Sequence, residues 1–356
     1  MKPQISANRM TRRRCLQGTL AAAAALLAGC SRSDPGARRS IVYASAFSLA
    51  KSMDETLWLE FERRIESELP QFDVRLLIRG ETGPEEQAFA GARRGRLQIA
   101  GGSFAGVATI VPEIALLSAP FLFDSEAEVD FVMDRYMLPP FRVLFAAKGL
   151  ELIHWTDVGW VNLYGKEPMR VPEAARGRRI RASTSIASQA FIRELGADTI
   201  TMPFSDIVPS LQTGLIEGGV TSTTMYALSG ISTEAPNYVL TRHTYDMGVL
   251  LASSKWLRAL TPAQRASFMV GFGGAQNARR RVREYVSGKL AQLPAQGVRL
   301  YEPTAAERER WRRAAWPAHE KLIARIGGSA RQIYDALLQG KRDFSASGSL
   351  ATRAAG

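Results

Sequence analysis

The stretch from Pro172 to Thr224 constrains this chain most, because strand and helix signals alternate in it at short range. It opens with a turn at Pro172–Ala175 and a basic strand, Arg178–Ala182. Ala187, Ala190, Phe191 and Leu195 then repeat on one helical face, and Gly196 ends that helix. A short strand leads into Met202-Pro203-Phe204, and Ser205 is placed to cap a second helix carrying Ile207, Val208, Leu211 and Leu215. This rhythm builds an α/β layer, in which ligands collect at the carboxyl ends of the strands.

The rest of the chain continues the pattern. A strand at Ile41–Ala46 and a loop at Phe47–Lys51 precede a helix to Ser67, opened by the capping pair Ser52 and Glu55. A strand at Phe72–Ile78, a helix at Pro84–Arg93 and a strand at Leu97–Gly101 follow. A helix is predicted over Asp124–Met137 and strands over Leu150–Ile153, Gly159–Tyr164, Tyr245–Ser253 and Gly297–Tyr301. Thr261-Pro262-Ala263-Gln264 opens a long helix, and Thr304 with Glu307 caps another. Residues beyond Phe344 are small and polar, which predicts a disordered tail. No Gly-, Ser- or Pro-rich linker divides the chain, so any change of domain runs along continuous strands.

The first thirty residues read as an address. Lys2, Arg9, Arg12, Arg13 and Arg14, with no acid, precede an apolar run from Thr19 to Ala28 that is too short to span a bilayer. Leu27-Ala28-Gly29-Cys30 resembles a lipobox, with Cys30 as the lipidated residue. Thr11-Arg12-Arg13-Arg14-Cys15-Leu16 resembles a twin-arginine export signal. Both cysteines, Cys15 and Cys30, lie in this leader, so a processed chain has no pair for a disulfide and must stand on core burial. Removing the leader's five cations leaves 41 Lys and Arg against 34 acids. The arginine runs Arg279–Arg281 and Arg308–Arg313 sit among acids without interleaved aromatics, which argues against nucleic-acid binding. A basic surface fits small anions and an anionic membrane.

Several motifs together resemble the extracytoplasmic solute receptors of TRAP (tripartite ATP-independent periplasmic) transporters. They are Pro172-Glu173 with Gly177-Arg178-Arg179-Ile180-Arg181; Leu195-Gly196-Ala197; Pro203-Phe204-Ser205-Asp206; and Leu211-Gln212-Thr213-Gly214 leading to Glu217-Gly218. Upstream, Gly95–Ile99 is similar to the family's G-x-L-D strand, with Gln98 in place of Asp. Pro112-Glu113 and Ala119–Phe123 are similar to its P-E and P-F-L-F segments. The resemblance covers residues 41–335. It implies a two-domain, periplasmic-binding-protein-like α/β fold with discontinuous domains and a long crossing helix. The boundaries that follow are a signal at 1–30 and a linker at 31–40. Domain I takes 41–158 with about 247–290, domain II takes 159–246 with about 291–340, and 341–356 is a tail.

The same resemblance assigns roles. Arg181 stands where the family's arginine grips a carboxylate, and its planar fork suits that bidentate contact. Phe204 stands where a ring packs on the solute, and Thr221 where an Asn bonds the carboxylate. His243 occupies a position often polar in the pocket, and Val161 one where some members carry a second Arg. Trp160 and Ser103 complete the expected lining. With Val161 there and Trp160 and Tyr164 nearby, a monocarboxylate or an aromatic or branched organic acid is the expected solute. Implied partners are the integral membrane subunits of a permease and, through Cys30, the membrane. No metal or cofactor is expected, since no Cys/His cluster has ligand spacing and no Walker lysine follows a Gly-rich run. The alternatives are a lipid-anchored solute sensor for a signalling partner and a hydrolase using Ser103. Gly101–Gly106 does not fit G-x-S-x-G, and only three histidines (His154, His243, His319) could serve as a base.

Overall fold

The structure, a computed structural model, describes residues 39–354, with side chains described through residue 347. The export signals and Cys30 lie outside the described residues. The described strands are β1 (Ser40–Ser45), β2 (Phe72–Leu77), β3 (Ile99–Ser103), β4 (Leu150–Gly165), β5 (Arg179–Ala182), β6 (Asp198–Thr201), β7 (Gly218–Ser222), β8 (Asn237–Ser253) and β9 (Arg299–Tyr301). They form one mixed sheet in the order β2-β1-β3-β8-β4-β7-β5-β6, with β9 alongside β8.

Two strands hold this sheet together. β4 and β8 run antiparallel from the pair Leu150–Ser253 to the pair Gly165–Asn237. β3 joins β8 at its Gly248–Ala252 end, whereas β7 joins β4 at Val161–Gly165. The sheet therefore has two halves that share β4 and β8. The β4–β8 register slips between Leu152 and His154, Asp157 and Gly159, and Val161 and Leu163. Such bulges bend a strand and raise its twist. Gly159 supports one of them with φ +103°, a conformation that glycine adopts without a steric penalty.

Apolar layers cover both halves. In the first half, Trp58, Phe61, Phe268 and Phe272 pack as one aromatic group, and Phe104, Phe141 and Trp155 as another. In the second half, Ile180, Ala182, Phe191 and Trp311 cover one face, while Tyr164, Ile207, Leu211, Tyr226 and Tyr238 cover the other. Each large side chain fully buried in these layers contributes about 1.5–3 kcal/mol of transfer free energy.

The structure departs from the sequence reading in five places. The strand expectations at Leu150–Ile153 and Gly159–Tyr164 are parts of one sixteen-residue strand, and β8 begins at Asn237 instead of Tyr245. The helix opened by Thr261 stops at Val270, although its capping box forms as expected. Gly273 and Gly274, at φ +76° and +85°, break the chain, and the long helix is a separate one, Ala275–Gln292. The segment after Glu126 passes through a π-turn at Met133–Met137 into an unpredicted helix, Leu138–Ala146. The supposed tail is helical to Ala354, because Gly340 lets the helix close on Tyr136 and Phe344 packs on Phe131. Ser205 caps nothing: its hydroxyl bonds Asp206 inside a short 3₁₀ turn, Phe204–Asp206.

The helix Ala275–Gln292 is fixed by charge at one end and by apolar packing at the other. Arg281 makes two bonds to Glu60, and Arg279 bonds Asp130 and Asp134. Arg283 bonds Asp130 and reaches Asp157, which lies at the β4 bulge and also accepts from Tyr245. Past the helix's far end, Leu293 is buried in the tyrosine-rich core of the second half. The helix thus contacts both halves, as a crossing helix must. Among the described residues, no helix is long and apolar enough to cross a membrane.

Candidate functional site

Arg181 lies on β5, in register with Ile200 of β6 and Gly219 of β7. Gly219 is in turn opposite Tyr164 of β4, and Thr221 opposite Asn162. Side chains alternate along a strand, so Arg181, Thr221, Asn162 and Tyr164 share one face of the second half.

Arg181 is 5% exposed, and among the described residues its side chain bonds only backbone carbonyls. Nε and Nη2 donate to Met202 O at 3.2 and 3.1 Å, and Nη1 donates to Val220 O at 3.5 Å. A guanidinium has five N–H donors, so one remains on each Nη nitrogen. Burial lowers the Arg181 pKa, opposed by Tyr164, and among the described residues no carboxylate pairs with it. Arg279 gives the contrast within the same chain: it is 2% exposed and holds Asp130 and Asp134 at 2.7–2.9 Å. Burying a cation costs several kcal/mol unless an anion meets it. Arg279 has its anions; Arg181 has none among the described residues.

The other expected residues divide by face and by half. Thr221 is buried beside Asn162 on the Arg181 face. Phe204 is half-buried at the edge of the tyrosine-rich core, two residues beyond the Met202 carbonyl that holds Arg181. Val161 and His243 lie on the face opposite Arg181. Val161 belongs to the opposite core with Phe191, and His243 stacks flat on Phe191 at 3.9 Å. Burial and the nearby Arg308 push the His243 pKa down to about 3, so its ring is neutral and serves packing. Trp160 sits at the bulge, edge-on to Tyr245.

Ser103 stands in the first half, at the end of β3. Its Oγ caps the short helix Phe104–Val107 and donates to Glu85 Oε2 at 2.6 Å. The three histidines bond elsewhere: His154 to Trp155 O, His243 to Thr241, and His319 to Pro120 O and Tyr334. Among the described residues, no histidine bonds Ser103.

Sequence reasoning missed two groups. Asn162 accepts from Arg242 N at 3.0 Å and donates to Tyr238 Oη at 3.2 Å, tying the bulged crossing strands together. In the first half, Asp54, Glu85 and Asp246 have no basic partner in an ion pair. Burial raises all three pKa values, that of Asp246 to about 7 with help from Glu85. Two surface concavities, of about 420 and 640 Å³, lie beside Arg283 and along β2, and neither touches Arg181.

The family model for "bacterial extracellular solute-binding protein, family 7" matches residues 50–326. The chain belongs to this family. A solute-binding protein of Chromohalobacter salexigens is 29% identical over 162 residues, which is 45% of this chain and 48% of that one, so the chain spans about half of that relative's length. The sugar-acid-binding protein of Advenella mimigardefordensis in complex with galactonate superposes with a TM-score of 0.78 at 24% identity, over 85% of this chain and 99% of that one. A TRAP periplasmic solute-binding protein of Shewanella oneidensis with bound succinate gives 0.79 at 16% identity, over 85% and 99%. These likenesses carry the fold of the family-7 solute-binding proteins across both half-sheets.

Proposed function

We propose that this chain is the exported solute receptor of a TRAP-type transporter. It captures a small organic acid between its two halves and hands it to the integral membrane subunits of a permease. The observation that carries this reading is Arg181, a buried guanidinium held only by carbonyls and with N–H donors left over. Galactonate and succinate, bound by the two structural neighbours, are both carboxylates. Arg181 grips the carboxylate, Thr221 adds a hydroxyl from the same face, and Phe204 bounds the apolar side. One arginine without a second cation beside it fits one carboxylate, so the solute is a monoacid. The domains are 41–158 with 247–290 and 159–246 with 291–340, hinged at the bulges of β4 and β8. Lipid at Cys30 tethers the receptor outside the cytoplasmic membrane. It performs no chemistry on the solute, and the ligand shifts it to the closed form by binding that form better.

A thermal-shift panel of mono- and dicarboxylates, sugar acids, amino acids and polyols on the chain lacking residues 1–30 tests this. Ligands of the folded state raise its melting point by mass action. A shift with monoacids is expected. A shift with polyols alone overturns the carboxylate reading.

A further inference from the structure

Beside Arg181 stands a polar atom that the role of Arg181 alone does not explain. The Tyr164 hydroxyl is buried and has no hydrogen-bond partner among the described residues. It leans over Gly219: a Cβ built on that glycine would meet Tyr164 Oη at 2.2 Å and Arg181 Cβ at 3.1 Å. The three residues are consecutive neighbours across the register β5–β7–β4, so the absence of a side chain at 219 lets the hydroxyl approach the arginine. Buried hydroxyls are nearly always paired, and an unpaired one is costly. Here an unpaired hydroxyl lies over Gly219, next to the Cβ of a buried arginine that has no anion among the described residues.

We propose that Tyr164 is a second ligand contact, its hydroxyl donating to the carboxylate that Arg181 holds. This rests on the reading of Arg181 given above. A carboxylate has about four lone-pair sites, so two guanidinium N–H groups and one hydroxyl can share it. Burial raises the Tyr164 pKa, and Arg181 acts against that rise. Gly219 becomes a specificity element as well, because any side chain there would displace the hydroxyl.

Tyr164→Phe tests the proposal, since it removes one oxygen and leaves the ring. A hydroxyl that serves only the ligand has opposite effects in the two states. The ligand-free variant should melt at the wild-type temperature or slightly above, because no made bond is lost. Its affinity for a carboxylate should fall about five- to thirtyfold. Galactonate, glucuronate, pantoate and succinate serve as probes in calorimetry, alongside Arg181→Met. If Arg181→Met abolishes binding and Tyr164→Phe leaves it unchanged, the Tyr164 contact is refuted and the Arg181 reading stands. If Tyr164→Phe lowers the ligand-free melting point, the hydroxyl is structural and the proposal fails. If Arg181→Met binds as the wild type does, or the wild type binds none of the four, both readings fall together.

Discussion

Arg181→Met separates the charge at the candidate site from its packing. Methionine keeps an unbranched stem of similar reach and loses only the guanidinium head. In the ligand-free protein two effects oppose each other. Met202 O and Val220 O lose their donors, at about 1–3 kcal/mol for each unsatisfied group. The same change removes a cation buried without an anion, which returns several kcal/mol. The net change in folding free energy should stay within about 2 kcal/mol. Binding has no such compensation: breaking a buried charge pair costs about 2–5 kcal/mol, or about 30- to several-thousand-fold in Kd. At a ligand concentration of 100 Kd the wild type gains about 2.7 kcal/mol of stability, and the variant should gain less than about 1. Calorimetry with the panel's best acid gives the ratio, and thermal melts give the stability. A loss below tenfold, or a fall of more than about 4 kcal/mol in ligand-free stability, would show that Arg181 is held by the fold and not for a ligand.

Three further outcomes follow from the same geometry. Asp246 titrates near 7 when folded and near 3.8 otherwise, so between these values the folded chain holds a proton that the unfolded chain releases. Its contribution is full below about pH 4 and lost as pH rises to about 7; Asp246→Asn should therefore raise the melting point more at pH 8 than at pH 4.5, and an equal gain at both refutes the shift. Asp157→Asn weakens the contacts to Arg283 and Tyr245 at the β4 bulge and should cost about 3 kcal/mol or more in urea unfolding, whereas a loss under about 1 kcal/mol would mean the cluster is not structural. Gly219→Ala forces a methyl against Tyr164 Oη and should cost about 1–3 kcal/mol together with ligand affinity; wild-type binding in that variant would show that the strand shifts to make room.

The α/β rhythm was legible because its signals are local. Capping pairs such as Thr261–Gln264 and Thr304–Glu307 form as written, and apolar faces such as Phe191 with Ala187 fall where the period puts them. Element ends were lost where tertiary contacts override the local signal. The final helix reads as a small polar tail until Tyr136, Phe131 and Glu128 are brought against Gly340, Phe344 and Lys341 from over two hundred residues away. The break at Gly273–Gly274 was visible in the sequence, yet the preceding cap made one continuous helix look simpler.

The site was legible as far as a single residue in a motif allows. Arg181 could be named because the residues around it resemble a family pattern, but its neighbours are set by strand register, which the sequence does not contain. Val161 and Tyr164 are three residues apart on one strand, and odd spacing alone sends them to opposite faces. The expected set mixed both faces: Thr221 shares that of Arg181, whereas His243 joins Val161 behind the sheet. Even-numbered separation from Tyr164 leads to Asn162, and pairing across β7 leads from Asn162 to Thr221 and from Tyr164 through Gly219 to Arg181. Gly219 is the pivotal residue of that path. In the sequence it is the second glycine of a pair; in the sheet it is the gap that the Tyr164 hydroxyl fills, next to the Cβ of Arg181.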